Sequence, residues 1–126
     1  MLSEANAVAT IAVKNLEMAR KFYHDTLGLK EADGADNEVI VFRSGDSRIN
    51  VYRSQFAGTN KATALTWPVE DVEAEVRALK AKGVKFEHYE MPGVKLEGDI
   101  HVAGPMKVAW FKDPDGNILN VINRSQ

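Results

Sequence analysis

The stretch Trp110-Phe111-Lys112-Asp113-Pro114-Asp115-Gly116-Asn117 decides how this sequence folds. Its centre has proline in the second position of a four-residue turn and glycine in the fourth, a pattern typical of a type I turn closed by a glycine bulge. The residues on both sides of the turn favour strands. We therefore predict a β-hairpin in which Asp113 pairs with Asn117.

That pairing sets the register of the two strands. Trp110 then lies opposite Asn120, and both side chains project from one face of the sheet. The other face is apolar and suits packing beneath a helix; it carries Ala109, Phe111, Leu119 and Val121. We interpret the face of Trp110 and Asn120 as the face that is open to a ligand.

Each half of the chain contains the same order of patterns, which is a strand, a capped helix and then further strands. Asn15 caps a helix that ends at Gly28, and Asp71 caps a helix that ends at Gly83. The predicted strands cover residues 8–13, 38–43 and 48–53, then 63–67, 85–89, 107–112 and 117–122. The chain therefore contains two copies of one module.

The second module is longer because of a connection at residues 90–106. This stretch is rich in glycine and proline, so it predicts a loop. A long loop in a compact domain is often a lid over a site, and a mobile surface connection is an equally good interpretation.

The repeat places Asn50 where the second module has Asn120. Alternation puts Tyr52 on the face of Asn50, and Thr10 and Thr66 on the same face of each module's first strand. Asparagine is disfavoured inside strands unless its amide is solvated or hydrogen-bonded, so its equivalent placement predicts a ligand cavity rather than two solvated residues. The six predicted ligand-binding residues are Thr10, Asn50, Tyr52, Thr66, Trp110 and Asn120.

Trp110 has two interpretations of its own. Its position opposite Asn120 favours a stacking platform for a flat ligand, and core filling is the alternative.

The composition excludes several classes of function. The 126 residues carry 16 Lys and Arg against 18 Asp and Glu, so no broad positive field favours nucleic acid or an anionic membrane. No apolar run approaches the roughly 20 residues that span a bilayer, and the N-terminus does not resemble a secretory signal. The chain has no cysteine and therefore no disulfide. We expect a cytoplasmic protein with no nucleic-acid partner and no membrane partner.

Two motifs carry a family resemblance. The segment Ile11-Ala12-Val13-Lys14-Asn15-Leu16-Glu17, followed by Phe22-Tyr23 and Leu27-Gly28-Leu29, and the closing stretch at residues 110–117 resemble the vicinal oxygen chelate superfamily. That group contains glyoxalase I, extradiol dioxygenases, fosfomycin-resistance transferases and bleomycin-binding proteins. The resemblance covers nearly the whole chain.

The resemblance implies an α+β fold of two βαβββ modules that form a cupped mixed sheet with helices on its outer face. The modules would cover residues 6–54 and 62–123 of a single domain spanning residues 1–126. Such proteins are commonly homodimers, so the resemblance also implies a homodimer here.

Metal-dependent members of this superfamily place histidine or a carboxylate at four points, on the first and last strands of each module. In this sequence those points are Val8, Asn50, Ala64 and Asn120. Valine and alanine offer no lone pair, and an amide oxygen is a weak substitute for a carboxylate at a transition-metal site. We therefore expect no metal and no cofactor, although glyoxalase and dioxygenase chemistry both use a metal.

The sequence has three histidines, His24, His88 and His101. We interpret His24 and His88 as solvated residues. His101 lies in the predicted loop at residues 90–106 and is a weak candidate for a general acid or base, because imidazole titrates near neutral pH. The alternative is a histidine on a surface loop.

These expectations define hypotheses of different classes. The leading one is a metal-free small-molecule-binding protein of the glyoxalase/bleomycin-resistance type, which binds an aromatic or polar ligand, such as an antibiotic or a metabolite, in the cup. The alternative is a glyoxalase- or dioxygenase-like enzyme, a lyase, isomerase or oxidoreductase that uses unrecognised metal ligands or metal-free acid–base chemistry. An accessory interaction domain with a partner protein is the third.

Overall fold

A computed structural model describes residues 1–124 of the protein. The chain forms two compact units, Met1–Gly58 and a second unit that begins at Thr59. Each unit is a βαβββ arrangement, so the predicted α+β class and the predicted repeat are confirmed. Within residues 1–124, no helix is long and apolar enough to cross a membrane.

The first unit has one four-stranded sheet with the strand order β1-β4-β3-β2. Strands β1 and β4 are parallel, and the other neighbours are antiparallel. After a 3-10 turn at Leu2–Glu4, the elements are β1 (Ala9–Val13), α1 (Leu16–Arg20), a π-helical turn (Lys21–Thr26), β2 (Lys30–Ala32), β3 (Val39–Ser44) and β4 (Ser47–Arg53). The predicted first strand therefore begins one residue later, after Val8.

The helix of the first unit begins and ends where its sequence predicts. The Asn15 side chain accepts a hydrogen bond of 3.1 Å from the Met18 N–H, and Gly28 ends the segment with a φ of 79°. Its second half widens into a π-helical turn, in which the Leu27 N–H donates to the Phe22 carbonyl five residues back. The helix packs on β3 and β4, with Tyr23 fully buried.

The second unit repeats this plan and adds a hairpin. Its elements are β5 (Thr63–Val69), α2 (Val72–Ala81), β6 (Phe86–Glu87), β7 (Lys95–Glu97), β8 (Ile100–Ala103), β9 (Met106–Lys112) and β10 (Ile118–Asn123). The strand order is β5-β10-β9-β8-β7, and β6 also pairs with β9. The Asp71 side chain caps α2 by accepting from the Ala74 N–H, as predicted. The helix packs on β9 and β10.

The predicted loop at residues 90–106 was wrong in its second part, because residues 95–103 contain β7 and β8. Two-residue turns join Glu97 to Ile100 and Ala103 to Met106. Gly98 and Gly104 begin these turns with φ values of 63° and 57°, a conformation that tight hairpin turns require. The glycines that indicated a loop therefore close hairpins, and the lid interpretation has no support.

The predicted strand at residues 85–89 was also too long, since β6 covers only Phe86–Glu87. Strand β6 pairs with β9 at Phe111 and Trp110, and β8 takes the same edge of β9 from Val108 onward. Because that edge is already occupied, the residues after β6 cannot continue along it.

The closing hairpin has the predicted turn and the predicted register. The Asp113 N–H donates to the Asn117 carbonyl at 3.0 Å, and Gly116 has a φ of 90°. The buried Asp113 carboxylate accepts from the N–H groups of Asp115 and Asn117 at 2.9 Å and from the Asn117 amide at 2.8 Å. Trp110 lies opposite Asn120, and the four residues predicted for the apolar face are all buried.

Candidate ligand-binding faces

The sheet of the second unit brings three of the predicted ligand-binding residues into one row. Asn120 on β10 lies between Thr66 on β5 and Trp110 on β9 in the strand register. Glu87 on β6 extends the row beyond Trp110. Alternation puts these side chains on the face opposite helix α2. We call this surface the Trp110 face.

The indole of Trp110 is held in one orientation. Its Nε1–H donates a hydrogen bond of 3.0 Å to Thr63 Oγ1 on β5. Since β10 lies between β9 and β5, the ring extends over β10, close to Asn120. The indole nitrogen is therefore satisfied within the protein, and what remains for a ligand is the aromatic surface.

Two further rings pack against the indole. The ring centroids of His101 and Trp110 lie 4.9 Å apart at an interplanar angle of 83°, and those of Tyr89 and Trp110 lie 5.4 Å apart at 80°. Both geometries are the edge-to-face arrangement that aromatic pairs favour. Neither Tyr89 nor Thr63 was predicted as a partner of Trp110.

His101 is a buried residue of β8, which corrects its predicted place in a loop. Its side chain is 1% exposed. Its Nε2 accepts a hydrogen bond of 2.9 Å from the Tyr89 N–H, so the proton of the neutral ring is on Nδ1, which donates to the Val108 carbonyl at 3.3 Å. Both ring nitrogens are engaged, and this geometry offers neither a free lone pair nor a free proton to a substrate.

Asn120 is the unusual residue of the Trp110 face. It is 7% exposed, and its Oδ1 is buried with no hydrogen-bond partner within residues 1–124. Buried polar atoms in proteins nearly always have a partner, so this unpaired acceptor is a candidate contact for a donor from water or a ligand.

The first unit presents an equivalent face, which carries Thr10, Asn50 and Tyr52. Thr10 on β1 pairs with Asn50 on β4, just as Thr66 pairs with Asn120 in the second unit. Asn50 is half-buried, and Tyr52 is 37% exposed. We call this surface the Asn50 face. The structure thus places all six predicted residues on the open faces of the two sheets, and their joint cup stays a prediction.

The residues at the four positions that the resemblance equates with metal ligands do not fit a metal site. In the first unit Val8 and Asn50 offer a hydrocarbon and an amide, and in the second unit Ala64 and Asn120 do the same. The orphan acceptor of Asn120 is a single neutral oxygen, whereas transition-metal sites use imidazole, thiolate or carboxylate ligands. Within residues 1–124, no three histidine, aspartate or glutamate side chains converge.

The other two histidines are exposed. His24 Nδ1 lies 2.7 Å from the Leu29 carbonyl. His88 Nε2 lies 2.8 Å from the Asp99 carboxylate, which also accepts from Lys80 Nζ at 2.7 Å. The hydrogen bond from Lys80, and then that from His88, hold the pKa of the Asp99 carboxyl below its ordinary value.

Comparison with known proteins agrees with this architecture. The family model of the Glyoxalase/Bleomycin resistance protein/Dioxygenase superfamily matches residues 6–121. The chain belongs to that superfamily, as the resemblance of its two motifs implied.

Solved structures share the fold at low sequence identity. A glyoxalase family protein from Enterococcus faecalis is 19% identical with a TM-score of 0.73, and the match covers 98% of this chain and all of that one. A lactoylglutathione lyase from Agrobacterium tumefaciens is 17% identical with a TM-score of 0.69, covering 94% and 92%. A fosfomycin resistance protein from Listeria monocytogenes is 15% identical with a TM-score of 0.67, covering 100% and 94%. These likenesses show the fold alone.

Proposed function

We propose that this chain is a metal-free small-molecule-binding protein of the glyoxalase/bleomycin-resistance type. Its ligand is an aromatic or polar molecule, an antibiotic or a metabolite, that binds on the Trp110 face. The observation that carries the proposal is the orphan Oδ1 of Asn120, buried beside a fixed indole.

Asn120 supplies the polar part of the argument. A buried acceptor without a donor costs about 1–3 kcal/mol. Because Oδ1 is buried, a ligand reaches it only when the neighbouring side chains move, and an N–H or O–H group presented to it then recovers part of this cost. The site therefore selects molecules with a hydrogen-bond donor at one edge.

Trp110 supplies the apolar part. Its ring is oriented by Thr63 and supported by the edges of His101 and Tyr89, so little conformational entropy is lost when a flat ligand stacks on it. Stacked aromatic pairs contribute about 0.5–1.5 kcal/mol beyond their buried area. A flat ring with a donor at its edge fits both features.

The test is a ligand titration that follows the fluorescence of Trp110. Compounds that raise the melting temperature are first selected from aromatic metabolites and antibiotics. A Trp67→Phe background leaves Trp110 as the one tryptophan, because the sequence contains only two. Trp67 stacks on Phe111 on the apolar face, so its replacement leaves the Trp110 face intact.

The deciding variant is Asn120→Leu, which has a similar shape and removes the amide. We expect the Kd to rise about 3- to 10-fold, the equivalent of one neutral hydrogen bond, with stability unchanged or higher. Asn123→Leu is the matched control. The Asn123 amide bonds to the Lys107 N–H and the Pro105 carbonyl, so this change lowers stability and leaves the Kd unchanged. An unaltered Kd in Asn120→Leu contradicts the proposal.

Turnover of a bound ligand would instead favour the enzyme hypothesis, and each titrated compound is therefore recovered and analysed by mass spectrometry. Native mass spectrometry of the purified protein tests the remaining parts of the proposal. We expect a homodimer without metal mass. We also propose that the protein is cytoplasmic.

A further inference from the structure

We infer that the Asn50 face of the first unit carries a binding site for an oxyanion, formed by Lys30, Arg43 and Arg48. The oxyanion is the carboxylate or phosphate group of a small molecule. This site lies in a different unit from the Trp110 face and does not depend on the function proposed there.

The strand register places the three cations in one row. Lys30 on β2 pairs with Arg43 on β3, and Arg43 pairs with Arg48 on β4. Directly opposed side chains in antiparallel strands lie about 5 Å apart and on the same face of the sheet. Arg48 precedes Asn50 by two residues, so the row continues the Asn50 face towards the hairpin end of β3 and β4.

Like charges in direct opposition destabilise a sheet. Here two such pairs share one arginine, and all three side chains are exposed. Within residues 1–124, none of the three makes an ion pair or a side-chain hydrogen bond. No ion pair within the described residues therefore offsets their mutual repulsion.

The other arginines of this unit are neutralised. Arg20 binds Glu31 and Glu17, and Arg53 binds Glu38. Glu31 is the nearest acidic neighbour of Lys30 in sequence, but alternation puts it on the helix side of the sheet, where Arg20 holds it. Glu31 and Glu38 are thus already paired with Arg20 and Arg53, and neither pairs with a cation of the row.

The second unit provides an internal comparison. Lys112 takes the place that Arg43 has in the first unit, but it lies 3.5 Å from the Glu87 carboxylate and faces Ile118 across the ladder. The repeat therefore does not require a row of cations at this position. Their accumulation is a property of the first unit alone.

A cavity adjoins the row. It has a volume of about 520 Å³ and is partly open to solvent. Lys30 and Arg43 contribute its charged groups, and its lining is completed by Gly28, Leu29, Ser44 and Gly45. No acidic side chain belongs to the lining.

The chemistry of these groups selects one anionic group rather than a polymer. Guanidinium groups bind carboxylate and phosphate through two parallel hydrogen bonds, and lysine adds a point charge. Three cations suffice to bind one such group. The chain as a whole has a net charge of -2 and offers no broader positive field. A nucleic acid needs an extended positive stripe, which this composition does not provide.

The experiment is a nuclear magnetic resonance titration of the full chain, labelled with ¹⁵N, which follows the Nε–H signals of the arginines. The probes are inorganic phosphate and acetate at constant ionic strength, with chloride as the reference anion. We expect the Arg43 and Arg48 signals to shift and saturate with one of the two oxyanions, and the stronger one identifies the group. Shifts that stay linear and equal to those of chloride overturn the inference.

Variants locate the site. In Arg43→Gln and Arg48→Gln the Kd for the oxyanion is expected to rise at least about tenfold, since each removes a charge-assisted pair. Arg53→Gln, on the same strand but paired with Glu38, is the matched control and leaves the Kd unchanged. Equal effects of all three changes, or no effect of any, overturn the inference.

A stability measurement provides a second, independent readout of oxyanion binding. Arg43→Gln relieves the repulsion in the row, so without oxyanion its melting temperature is expected to equal or exceed that of the parent protein. The parent protein gains stability when the binding anion is added, and the variant does not. Trp110→Ala retains the oxyanion affinity, so failure of the Trp110 face and failure of this site give different results.

Discussion

The indole of Trp110 on β9 is tied to the hydroxyl of Thr63 on β5 by a hydrogen bond of 3.0 Å that crosses the strand between them. The bond has two effects. It fixes the orientation of the ring, and it carries the ring across β10, the strand that holds the buried Asn120. The polar and aromatic parts of the Trp110 face are therefore mechanically coupled.

Replacement of Thr63 tests this coupling. Thr63→Val keeps the shape and removes the acceptor, so we expect a loss of about 0.5–1.5 kcal/mol in the free energy of unfolding. The freed ring also moves towards solvent, and the fluorescence of Trp110 shifts to longer wavelength. Urea unfolding and emission spectra of the Trp67→Phe background measure both effects. Thr66→Val on the same strand is the control, with less than about 0.5 kcal/mol of change.

His101 is expected to matter for stability. His101→Ala leaves the Tyr89 N–H and the Val108 carbonyl without their partner and opens a cavity beneath Trp110, for a combined cost of about 2–4 kcal/mol. Denaturant unfolding measures it. His88→Ala, at an exposed position, costs less than about 1 kcal/mol. A fully stable His101→Ala variant would contradict the structural role assigned to this ring.

Asp99 predicts a pH dependence with a definite sign. Its pKa is lowered in the folded protein by hydrogen bonds from Lys80 and His88, so its contribution to stability is present above the ordinary aspartate pKa. That contribution disappears as the pH falls through the lowered value. The stability difference between the parent protein and Asp99→Asn is therefore larger at about pH 6 than at about pH 2.5. Asp33→Asn, at an exposed residue, serves as the control.

Asp113 is expected to determine whether the closing hairpin forms. Its carboxylate accepts three hydrogen bonds within the turn and is 4% exposed. Asp113→Ala leaves those donors unpaired, and we expect a loss of about 2–4 kcal/mol in chemical denaturation. Asp46→Ala, in the turn between β3 and β4, loses no hydrogen bond of this kind and changes stability by less than about 1 kcal/mol. A similar loss in both variants would refute the specific role of Asp113.

Signals that lie within a few residues of one another predicted much of this fold. The caps at Asn15 and Asp71, the turn after Asp113 and the pairing of Trp110 with Asn120 all follow from local turn and cap chemistry, and the structure has each of them. The same chemistry misled at residues 90–106, because glycine favours both loops and tight hairpin turns. Only the pairing of β7 and β8 with β9 distinguishes the two.

The partner of Trp110 could not be predicted from alternation. A bulge between β10 and β5 pairs Ile118 with Thr63 but Leu119 with Leu65, so Thr63 moves to the open face. Regular alternation would have put Thr63 on the opposite face from Thr66.

The row formed by Lys30, Arg43 and Arg48 was not predicted, for a related reason. Strand β2 has only three residues, too few for a pattern, and without β2 the position of Lys30 is undefined.

The outermost strands on one side of each sheet have the same length and similar charged residues. β2 (Lys30–Ala32) and β7 (Lys95–Glu97) are three residues long, largely exposed, and bear lysine next to or near glutamate. A strand with free hydrogen-bonding groups is a template on which another chain can add, and short charged strands are a common protection against it. These two borders therefore oppose the addition of another chain's strand at either edge.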